Sequence, residues 1–333
     1  MDKILSYTML EEDREKTDDG LVRLVLKNCM GATGHEIRSA KFVENGITCD
    51  GKQIYVSEKM KPGQTLRILL KEPKIEEKVV PSKGEIHILY EDEDIIVVNK
   101  EAGEVVHPSP GHYSDTTSNH VAWYLQEQKK EEDRALRIIG RLDKETSGVL
   151  VFARNRPCAV RLQRQRQGGQ FMRTYYAVCE GIFPVEKKKG TIDRPIEKEP
   201  GVLMKMRIAQ EGGMRAVTHY EVLREGKTVT LEEGLENTRG YSFLRVRIDT
   251  GRTHQIRVHM ASVGHPLIGD TLYGSYAKTQ LHVKSMPEGK EGNGNGPKRA
   301  LLHAGKVNLI QPFTEEPLQI AAPMPEDFAQ YLE

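Results

Sequence analysis

The sequence of 333 residues is poor in the features that define several classes of protein. Its four cysteines have no paired short spacing of the kind that zinc sites and disulfide frameworks use, so we expect reduced, mostly buried thiols. They are Cys29, Cys49, Cys158 and Cys179. No apolar run approaches the length that spans a bilayer, and no apolar stretch follows a basic cluster near the N-terminus. The sequence therefore predicts a soluble, cytoplasmic protein without a membrane partner.

Net charge is also nearly absent, at +1, so any argument for nucleic-acid binding has to rest on local patches. One such patch lies between Glu145 and Glu180, where there is no acidic residue. The arginines in this stretch are Arg154, Arg156, Arg161, Arg164, Arg166 and Arg173. A helix predicted over most of them has two open interpretations, a phosphate-binding face and an ordinary solvated helix.

Glycine motifs that bind nucleotides are missing as well. A phosphate loop ending at Gly226-Lys227-Thr228 would need glycine at position 221, which is Glu221. The glycines at 292–296 do not open a helix after a strand, and they belong to a polar segment, 275–298, that we expect to be a flexible surface insertion. These patterns argue against nucleotide hydrolysis and against dinucleotide binding.

The first 70 residues have the pattern of a small separate module. Residues 21–31 and 35–44 have helix-like apolar spacing, and a tight hairpin is predicted around Asp50-Gly51. Residues 61–70 supply a turn and a further strand, and the charged tract that follows reads as a linker.

From Ile86 onward the pattern changes to many short strands with few helices. Two helices are predicted, one from Asn155 to about Gly168 and one from Thr253 to Gly264. Strands outnumber helices without regular alternation, which predicts an α+β domain. The predicted strands are IHILY, DIIVVNK, VLVFA, YYAVC, AVTHYEVL and FLRVRI.

Two polar segments are candidates for chemistry. RLDKETSG, residues 141–148, joins two apolar runs, so it is either a polar hairpin turn or a loop that presents a catalytic carboxylate. A glycosidase-like pair of Asp143 and Glu145 is disfavoured, because the chain has one tryptophan, Trp123, and so lacks a wall of sugar-binding aromatics.

The second segment is residues 250–270. Arg257 lies beside a predicted core stripe, so it needs a carboxylate or phosphate partner. Histidines at 254, 259 and 265 suggest metal binding, but no metal-site spacing is present, so a metal is disfavoured.

Several motifs, taken in order, resemble the RluA-type family of RNA pseudouridine synthases. The resemblance implies a pseudouridine synthase fold with a mixed, largely antiparallel sheet over 86–333, a linker over 73–85, and a divergent S4-like α/β RNA-binding domain over 1–72. The motifs are DIIVVNKEAGEVVHP (94–108), GRLDKETSGVLVFAR (140–154), RTYYAV (173–178), GRTHQIRVHMASVGHPLIGDTLYG (251–274) and LLHA (301–304).

The resemblance implies that uridine is isomerised to pseudouridine, with Asp143 as the essential carboxylate. Asp143 would act while ionised, with Arg257 at the family position that pairs with it. Tyr175 matches the family tyrosine that stacks on the target base and is a candidate for moving the C5 proton. Attack at C6 of the uracil, attack at C1′ of the ribose and formation of a glycal all stay open.

The resemblance further implies a flipped-out nucleotide, with Arg141 helping to fill the vacated stack. The predicted substrate-binding residues are Arg141, Leu142, Thr146, Gly148, Arg154, Arg252, His254 and Gln255. No metal or cofactor is implied. The expected partner is structured RNA, ribosomal RNA of the large subunit first and transfer RNA as the alternative, bound by a monomer. A ribosome-assembly factor that does not require catalysis is the competing hypothesis.

Three positions depart from the family pattern. Gly140 replaces the usual histidine before Arg-Leu-Asp, Glu101 replaces the usual proline after Asn-Lys, and Gln311 replaces a histidine often found before Pro312. None of them removes Asp143, Tyr175 or Arg257, so catalysis is still expected.

Overall fold

The computed structural model describes residues 2–71, 79–128, 136–202, 204–232, 235–274, 297 and 299–332. The chain divides into two compact units, one of residues 1–78 with 155–157 and the other of residues 79–154 with 158–333. Part of the predicted linker and nearly all of the predicted insertion at 275–298 lie outside the described residues. No helix in the described part of the chain is long and apolar enough to cross a membrane.

The first unit is a four-stranded sheet, in the order β1-β4-β2-β3, packed against short helices. Its strands are β1 (Lys3–Thr8), β2 (Ile47–Cys49), β3 (Lys52–Gln53) and β4 (Thr65–Leu70). Its helices are α1 (Val22–Leu24), which continues as a π-helical turn over Val25–Cys29, and α2 (Gly34–Lys41), with 3-10 turns at Glu11–Asp13 and Glu15–Thr17.

The predicted helices and hairpin of this unit are confirmed. Asp50 and Gly51 both have positive φ, 49° and 79°, as a two-residue hairpin turn requires. Strand β1 was not predicted, because its neighbourhood is rich in acidic residues. One of these, Asp13, is buried and accepts hydrogen bonds from Tyr7 Oη at 2.6 Å and from the Leu10 amide at 2.8 Å. The acidic N-terminal stretch is therefore partly structural.

The second unit contains the remaining strands and helices. Its strands are β5 (His87–Glu91), β6 (Ile95–Lys100), β7 (Arg137–Ile138), β8 (Ser147–Ala153), β9 (Met172–Glu180), β10 (Lys189–Asp193), β11 (Ile196–Lys198), β12 (Met206–Ile208), β13 (Val217–Glu232), β14 (Leu235–Ile248), β15 (Leu302–Ile310) and β16 (Pro317–Ala321). Its helices are α3 (Thr117–Trp123), extended by a π-helical turn over Tyr124–Gln128, α4 (Arg156–Gln167) and α5 (Gln255–Ser262), with 3-10 turns at Val185–Lys187 and Glu326–Tyr331.

Ten of these strands form one sheet in the order β10-β13-β14-β9-β15-β8-β6-β5, with β16 beside β15 and β7 beside β8. Among the described strands the pairing of β8 with β15 is the only parallel one. The predicted α+β class and the largely antiparallel, mixed sheet are confirmed.

The central strands are buried on both faces, which explains their nearly unbroken apolar runs. In β6, Ile96 and Val98 pack into the core on one face, whereas Ile95 and Val97 pack into the core on the other. Side chains alternate between faces along a strand, so one short run contributes to both cores.

Helices cover both faces of this sheet. Val121 of α3 and Ile256 of α5 belong to the first core, and Leu162 of α4 belongs to the second. The predictions of α4 and α5 are confirmed to within two residues. Helix α3 was not predicted; it begins at Thr116, whose side chain accepts a hydrogen bond from the Asn119 amide in a capping box.

Candidate active site

A cleft of about 410 Å³ opens in the second unit, within the size range of ligand-binding pockets. Its walls come from the loop before β8, the last turns of α4, the first residues of β9, the loop between β14 and α5, and the start of β15. The lining residues are Ile138, Gly140, Arg141, Leu142, Asp143, Thr146, Gln163, Arg166, Phe171, Arg173, Tyr175, Ile248, Asp249, Thr250, Gly251, Arg252, Thr253, Gln255, Ile256 and Leu302.

The loop that carries Asp143 is a turn held from the sheet side by Arg173. The Thr146 amide donates to the Asp143 carbonyl at 3.1 Å, which closes the turn. Arg173 is buried and donates to the carbonyls of Ile139 at 2.7 Å and Gly140 at 2.8 Å. Gly140 has φ of +74°, and a Cβ there would lie 3.2 Å from Nη1 of Arg173, so a glycine suits this position.

Lys100 holds the same loop from another side. Its side chain is buried, and Nζ donates to the carbonyls of Glu101 at 2.6 Å, Glu104 at 2.8 Å and Lys144 at 3.0 Å. Burial lowers the pKa of Lys100 to about 8. The lysine therefore fixes the backbone directly after Asp143.

Arg299 is a third contact on this loop. It donates to the Glu145 carbonyl at 3.0 Å and to Oγ of Ser147 at 3.2 Å, while Nε and Nη2 bind the Asp327 carboxylate at 2.7 and 3.0 Å. Sequence reasoning missed Arg173, Lys100 and Arg299 as residues that position the loop. For Arg173 a signal existed, because it lies two residues before Tyr175 in a strand and so shares its face.

Asp143 is half-buried in the cleft, and its carboxylate has no hydrogen bond or ion pair among the described residues. The expected pairing of Asp143 with Arg257 is corrected by the structure. Arg257 is buried behind the cleft and binds Asp270 with two hydrogen bonds of 2.7 Å, from Nε and Nη2. The carboxylate partner that Arg257 was predicted to need is therefore Asp270, which leaves Asp143 available to substrate.

Arg257 still acts on Asp143 through its charge. Burial alone would lower the pKa of Arg257, but the hydrogen bonds and charge of Asp270, with the charge of Asp143, raise it. A permanent positive charge therefore lies close enough to the carboxylate of Asp143 for the two charges to interact.

His254 lies beside this pair and does not line the cleft. It has φ of +55° at the start of α5, and its Nδ1 is 3.0 Å from Oη of Tyr273. Burial lowers the pKa of His254, which favours the neutral ring. The structure thus gives His254 a contact within the protein, and its predicted contact with RNA stays a prediction.

Tyr175 lines the cleft and forms its apolar floor with Leu142, Ile256 and Leu302. Its side chain is 5% exposed, and its hydroxyl makes no hydrogen bond among the described residues. A planar ring on an apolar floor beside a free carboxylate is suited to hold a flat base.

The structure corrects two further predictions of substrate contact. Gly148 is buried in β8 with φ of +108°, and a Cβ there would lie 2.3 Å from the Ala304 carbonyl oxygen, so its role is close packing against β15. Arg154 is buried outside the cleft, where Nη1 donates to Oε1 of Glu91 at 3.2 Å and to the Asp92 carbonyl.

Gln255 lines the cleft, but its side-chain amide forms hydrogen bonds with other residues of the protein. Nε2 donates to the Val217 carbonyl at 2.9 Å and to Thr218 Oγ1 at 3.0 Å, while Oε1 accepts from Thr250 Oγ1 at 2.8 Å and from the Arg252 amide at 3.1 Å. All four of its hydrogen-bonding positions are used. Gln255 therefore shapes the loop that presents Arg252.

The other predicted substrate-binding residues do line the cleft. Leu142 and Thr146 are buried in its wall, Arg252 is half-buried, and Arg141 is exposed at the rim, where Nη2 donates to Thr253 Oγ1 at 3.0 Å. Glu145 does not line it, so the cleft does not bring together the Asp143 and Glu145 pair considered for a glycosidase.

The three histidines of residues 250–270 do not converge on a metal. His259 bonds to Thr218 Oγ1 and to the Arg194 carbonyl, and His265 bonds to the Glu180 carbonyl. Within the described ranges, no group of three or more His, Cys, Asp or Glu side chains could hold a metal ion.

A family model described as RNA pseudouridylate synthase matches residues 94–262, which include the loop that carries Asp143, α4, β9 and all of α5. The chain belongs to this family. The enzyme is an isomerase that converts uridine to pseudouridine in RNA. The resemblance drawn from Asp143 and its neighbouring motifs is therefore confirmed at the level of the family and its reaction.

Known relatives extend the match beyond that segment. The enzyme is 33% identical over 313 residues to the RNA pseudouridine synthase YhcT of Bacillus subtilis, covering 94% of this chain and 92% of that protein. It is 36% identical over 278 residues to ribosomal large subunit pseudouridine synthase D of Haemophilus influenzae, covering 83% and 78%. With the synthase D of Pasteurella multocida it shares 37% identity over 253 residues, covering 76% and 72%.

Solved structures agree on the fold. Human RNA pseudouridylate synthase domain containing 1 matches with a TM-score of 0.52 at 23% identity, over 75% of this chain and 86% of that one. Human RNA pseudouridylate synthase domain containing 4 matches with a TM-score of 0.53 at 23% identity, over 74% and 91%. The predicted pseudouridine synthase fold is confirmed.

Proposed function

We propose that the enzyme isomerises uridine in large-subunit ribosomal RNA, in the cytoplasm, with Asp143 as the catalytic carboxylate. One observation carries the assignment of the site: Asp143, Tyr175 and Arg141 line the same cleft. Among the described residues, the carboxylate of Asp143 and the hydroxyl of Tyr175 make no hydrogen bond, and Arg141 lies at the rim. Two relatives, each named ribosomal large subunit pseudouridine synthase D, support the choice of RNA.

In this proposal the carboxylate of Asp143 assists cleavage of the bond between N1 of the base and C1′ of the ribose. The charge of Arg257, neutralised in part by Asp270, attracts the carboxylate of Asp143 without occupying its oxygens. The base then turns and is rejoined through C5, and the proton on C5 has to leave. The hydroxyl of Tyr175, which no described residue occupies, is the group we assign to that transfer: its oxygen accepts the C5 proton as its own proton passes to solvent, and N1 takes up a proton from solvent.

The uridine has to leave its stack to enter the cleft, since base chemistry is blocked inside a helix. Arg141 lies at the rim and is exposed, so its guanidinium is placed to stack in the gap that the base leaves. The apolar floor of the cleft, which includes Tyr175, then holds the uracil while it turns.

Mapping pseudouridines in a deletion strain and in its parent tests which RNA the enzyme modifies. We expect one or more large-subunit ribosomal RNA positions to lose pseudouridine, to regain it with the wild-type gene and to remain unmodified with Asp143→Asn. Loss confined to transfer RNA would replace the proposed target. Unchanged maps in all RNA would contradict catalysis in the cell and favour a role in ribosome assembly.

A further inference from the structure

Arg166 is a cleft arginine whose charge is not balanced by the protein. It lies in the last turn of α4, half-buried, and lines the cleft together with the loop between β14 and α5. Among the described residues its guanidinium makes no hydrogen bond and no ion pair. A half-buried cation without a partner is costly, so this position is suited to an anion that arrives with substrate.

The surroundings of Arg166 are cationic. Burial lowers the pKa of Arg166, and the positive charges of Arg173 and Arg252 lower it further. Arg173 uses Nη1 and Nη2 on the carbonyls of the loop that carries Asp143, whereas Arg252 uses Nε on the Arg215 carbonyl and has both Nη groups available. Two guanidinium groups with unused donors therefore face one cleft.

The acidic residues of the cleft do not neutralise this pair. Asp249 lies near His219, whose Nε2 is 3.1 Å from Oδ2, and among the described residues neither Asp249 nor Asp143 forms a hydrogen bond or an ion pair with Arg166 or Arg252. The guanidinium of Arg166 occupies space that a side chain at position 251 would block, because a Cβ on Gly251 would lie 2.3 Å from Nη2 of Arg166. Gly251 thus allows Arg166 to reach across the cleft.

We propose that Arg166 and Arg252 form a binding site for a backbone phosphate of the RNA next to the flipped-out uridine. This inference rests on the proposed function, because it takes RNA as the ligand of the cleft. Planar guanidinium groups bind phosphate oxygens with paired, charge-assisted hydrogen bonds. The site fixes the strand beside the loop that carries Asp143, since a Cβ on Gly140 would lie 3.6 Å from Cζ of Arg166, while Asp143 and Tyr175 act on the base.

The test compares two arginines of one helix. Total RNA from a deletion strain, labelled with tritium at C5 of uridine, serves as substrate because it contains the target whichever RNA that is. Arg166→Gln should lower kcat/KM about tenfold or more, mainly through KM, and reduce the slope of log KM against log salt by about one unit. Arg164→Gln, an exposed position that does not line the cleft, removes the same charge and should change both quantities much less.

Gly251→Ala provides a second variant that leaves both arginines in the chain. The new methyl group displaces the end of a flexible side chain, so the fold should be retained and KM should rise as in Arg166→Gln. The double variant should have a KM close to that of either single variant, since both substitutions remove the same contact of Arg166 with the RNA. Arg166→Lys should restore the salt slope without restoring the full affinity, because lysine keeps the charge and loses the paired geometry.

The outcomes separate the two proposals. Absence of tritium release by the wild-type enzyme would refute the catalytic function itself. Release by the wild-type enzyme with an unchanged KM and salt slope in Arg166→Gln would overturn only the phosphate site. An equal loss in Arg164→Gln would likewise overturn it, since the effect would then belong to the basic helix as a whole.

Discussion

Two aspartates near the cleft have opposite surroundings, and the difference assigns their roles. Asp270 is fully buried and takes both hydrogen bonds from Arg257, whereas Asp143 is half-buried and accepts none from the described residues. A carboxylate that is fully hydrogen-bonded inside the protein supports structure, and one that is free in a cleft is available for chemistry. Arg257 links them, because its charge acts on both.

Removing the charge of Asp270 should destabilise the protein strongly. Asp270→Asn leaves the Arg257 guanidinium buried without its counter-ion, and we expect a loss of about 3–5 kcal/mol in the free energy of unfolding. Asp249→Asn is the matched control: its partner His219 is exposed, and the cost should stay within about 1 kcal/mol. Urea denaturation measures both. Equal losses in the two variants would contradict the buried pair as the source of the effect.

Two substitutions of Tyr175 should distinguish its role in base binding from its role in proton transfer. Tyr175→Phe keeps the ring and removes the hydroxyl, so RNA should bind with nearly wild-type affinity while product formation is lost. Tyr175→Leu removes the ring as well and should weaken RNA binding by about 1–3 kcal/mol. Filter binding and tritium release measure the two effects. Turnover by Tyr175→Phe at the wild-type rate would exclude the hydroxyl from the C5 proton transfer.

At the scale of elements, the junction of β8 and β15 positions the catalytic loop. The two strands run parallel, with Ser147 opposite His303 and Gly148 opposite Ala304. His303 is buried, and its Nδ1 lies 2.9 Å from Oγ of Ser147. Because β8 begins where the loop ends, this junction fixes one end of the segment that carries Asp143.

His303 makes the junction sensitive to acid. Burial, with the charge of Arg299, lowers the pKa of His303 to about 4, below the usual 6.5. The unfolded chain therefore binds a proton between these pH values that the folded chain does not, and stability present above pH 6.5 is lost as pH falls towards 4. The loss from this group should reach about 3 kcal/mol.

His303→Gln, which does not titrate, checks that linkage. The drop in unfolding free energy between pH 7 and pH 4.5 should be smaller in the variant than in the wild type by about 2–3 kcal/mol, since the carboxylates titrate alike in both. Denaturant titrations at the two pH values give the drop. The same drop in both proteins would contradict a buried neutral histidine.

Elements with strong local patterns were predictable from sequence, and those set by tertiary contacts were not. Local sequence patterns indicated the hairpin at Asp50-Gly51, the arginine-rich α4 and the short apolar strands. Strand β1 and helix α3 depend on partners distant in the chain, as does the pairing of Arg257 with Asp270. The motifs around Asp143 indicated the family, but the roles of Gly148, Arg154 and Gln255 were decided by packing that no motif encodes.

At the scale of the whole molecule, each unit has its own apolar core. The core of the first unit is built from residues 9–70, and the two large cores of the second are built from residues 95–320. The cleft is lined entirely by residues of the second unit. The proposed chemistry thus uses residues of one unit, and the S4-like character of the other stays a prediction that concerns RNA affinity.

Removing residues 1–78 should therefore affect binding more than chemistry. We expect the truncated enzyme to bind its RNA more weakly, with a smaller loss in the rate at saturating RNA. Gel-shift titrations and single-turnover assays measure the two quantities, with circular dichroism as the check on folding. A folded truncated enzyme with unchanged affinity would contradict an RNA-binding role for the first unit.

The most direct test of the central claim is tritium release from RNA labelled at C5 of uridine, with Asp143→Asn beside the wild-type enzyme. Asparagine keeps the shape of the side chain and removes its charge. The wild-type enzyme should release tritium in step with pseudouridine formation, and Asp143→Asn should lose activity by at least about a thousandfold while still binding the RNA. Release by Asp143→Asn at a rate close to wild type would contradict the assignment of Asp143 as the catalytic carboxylate.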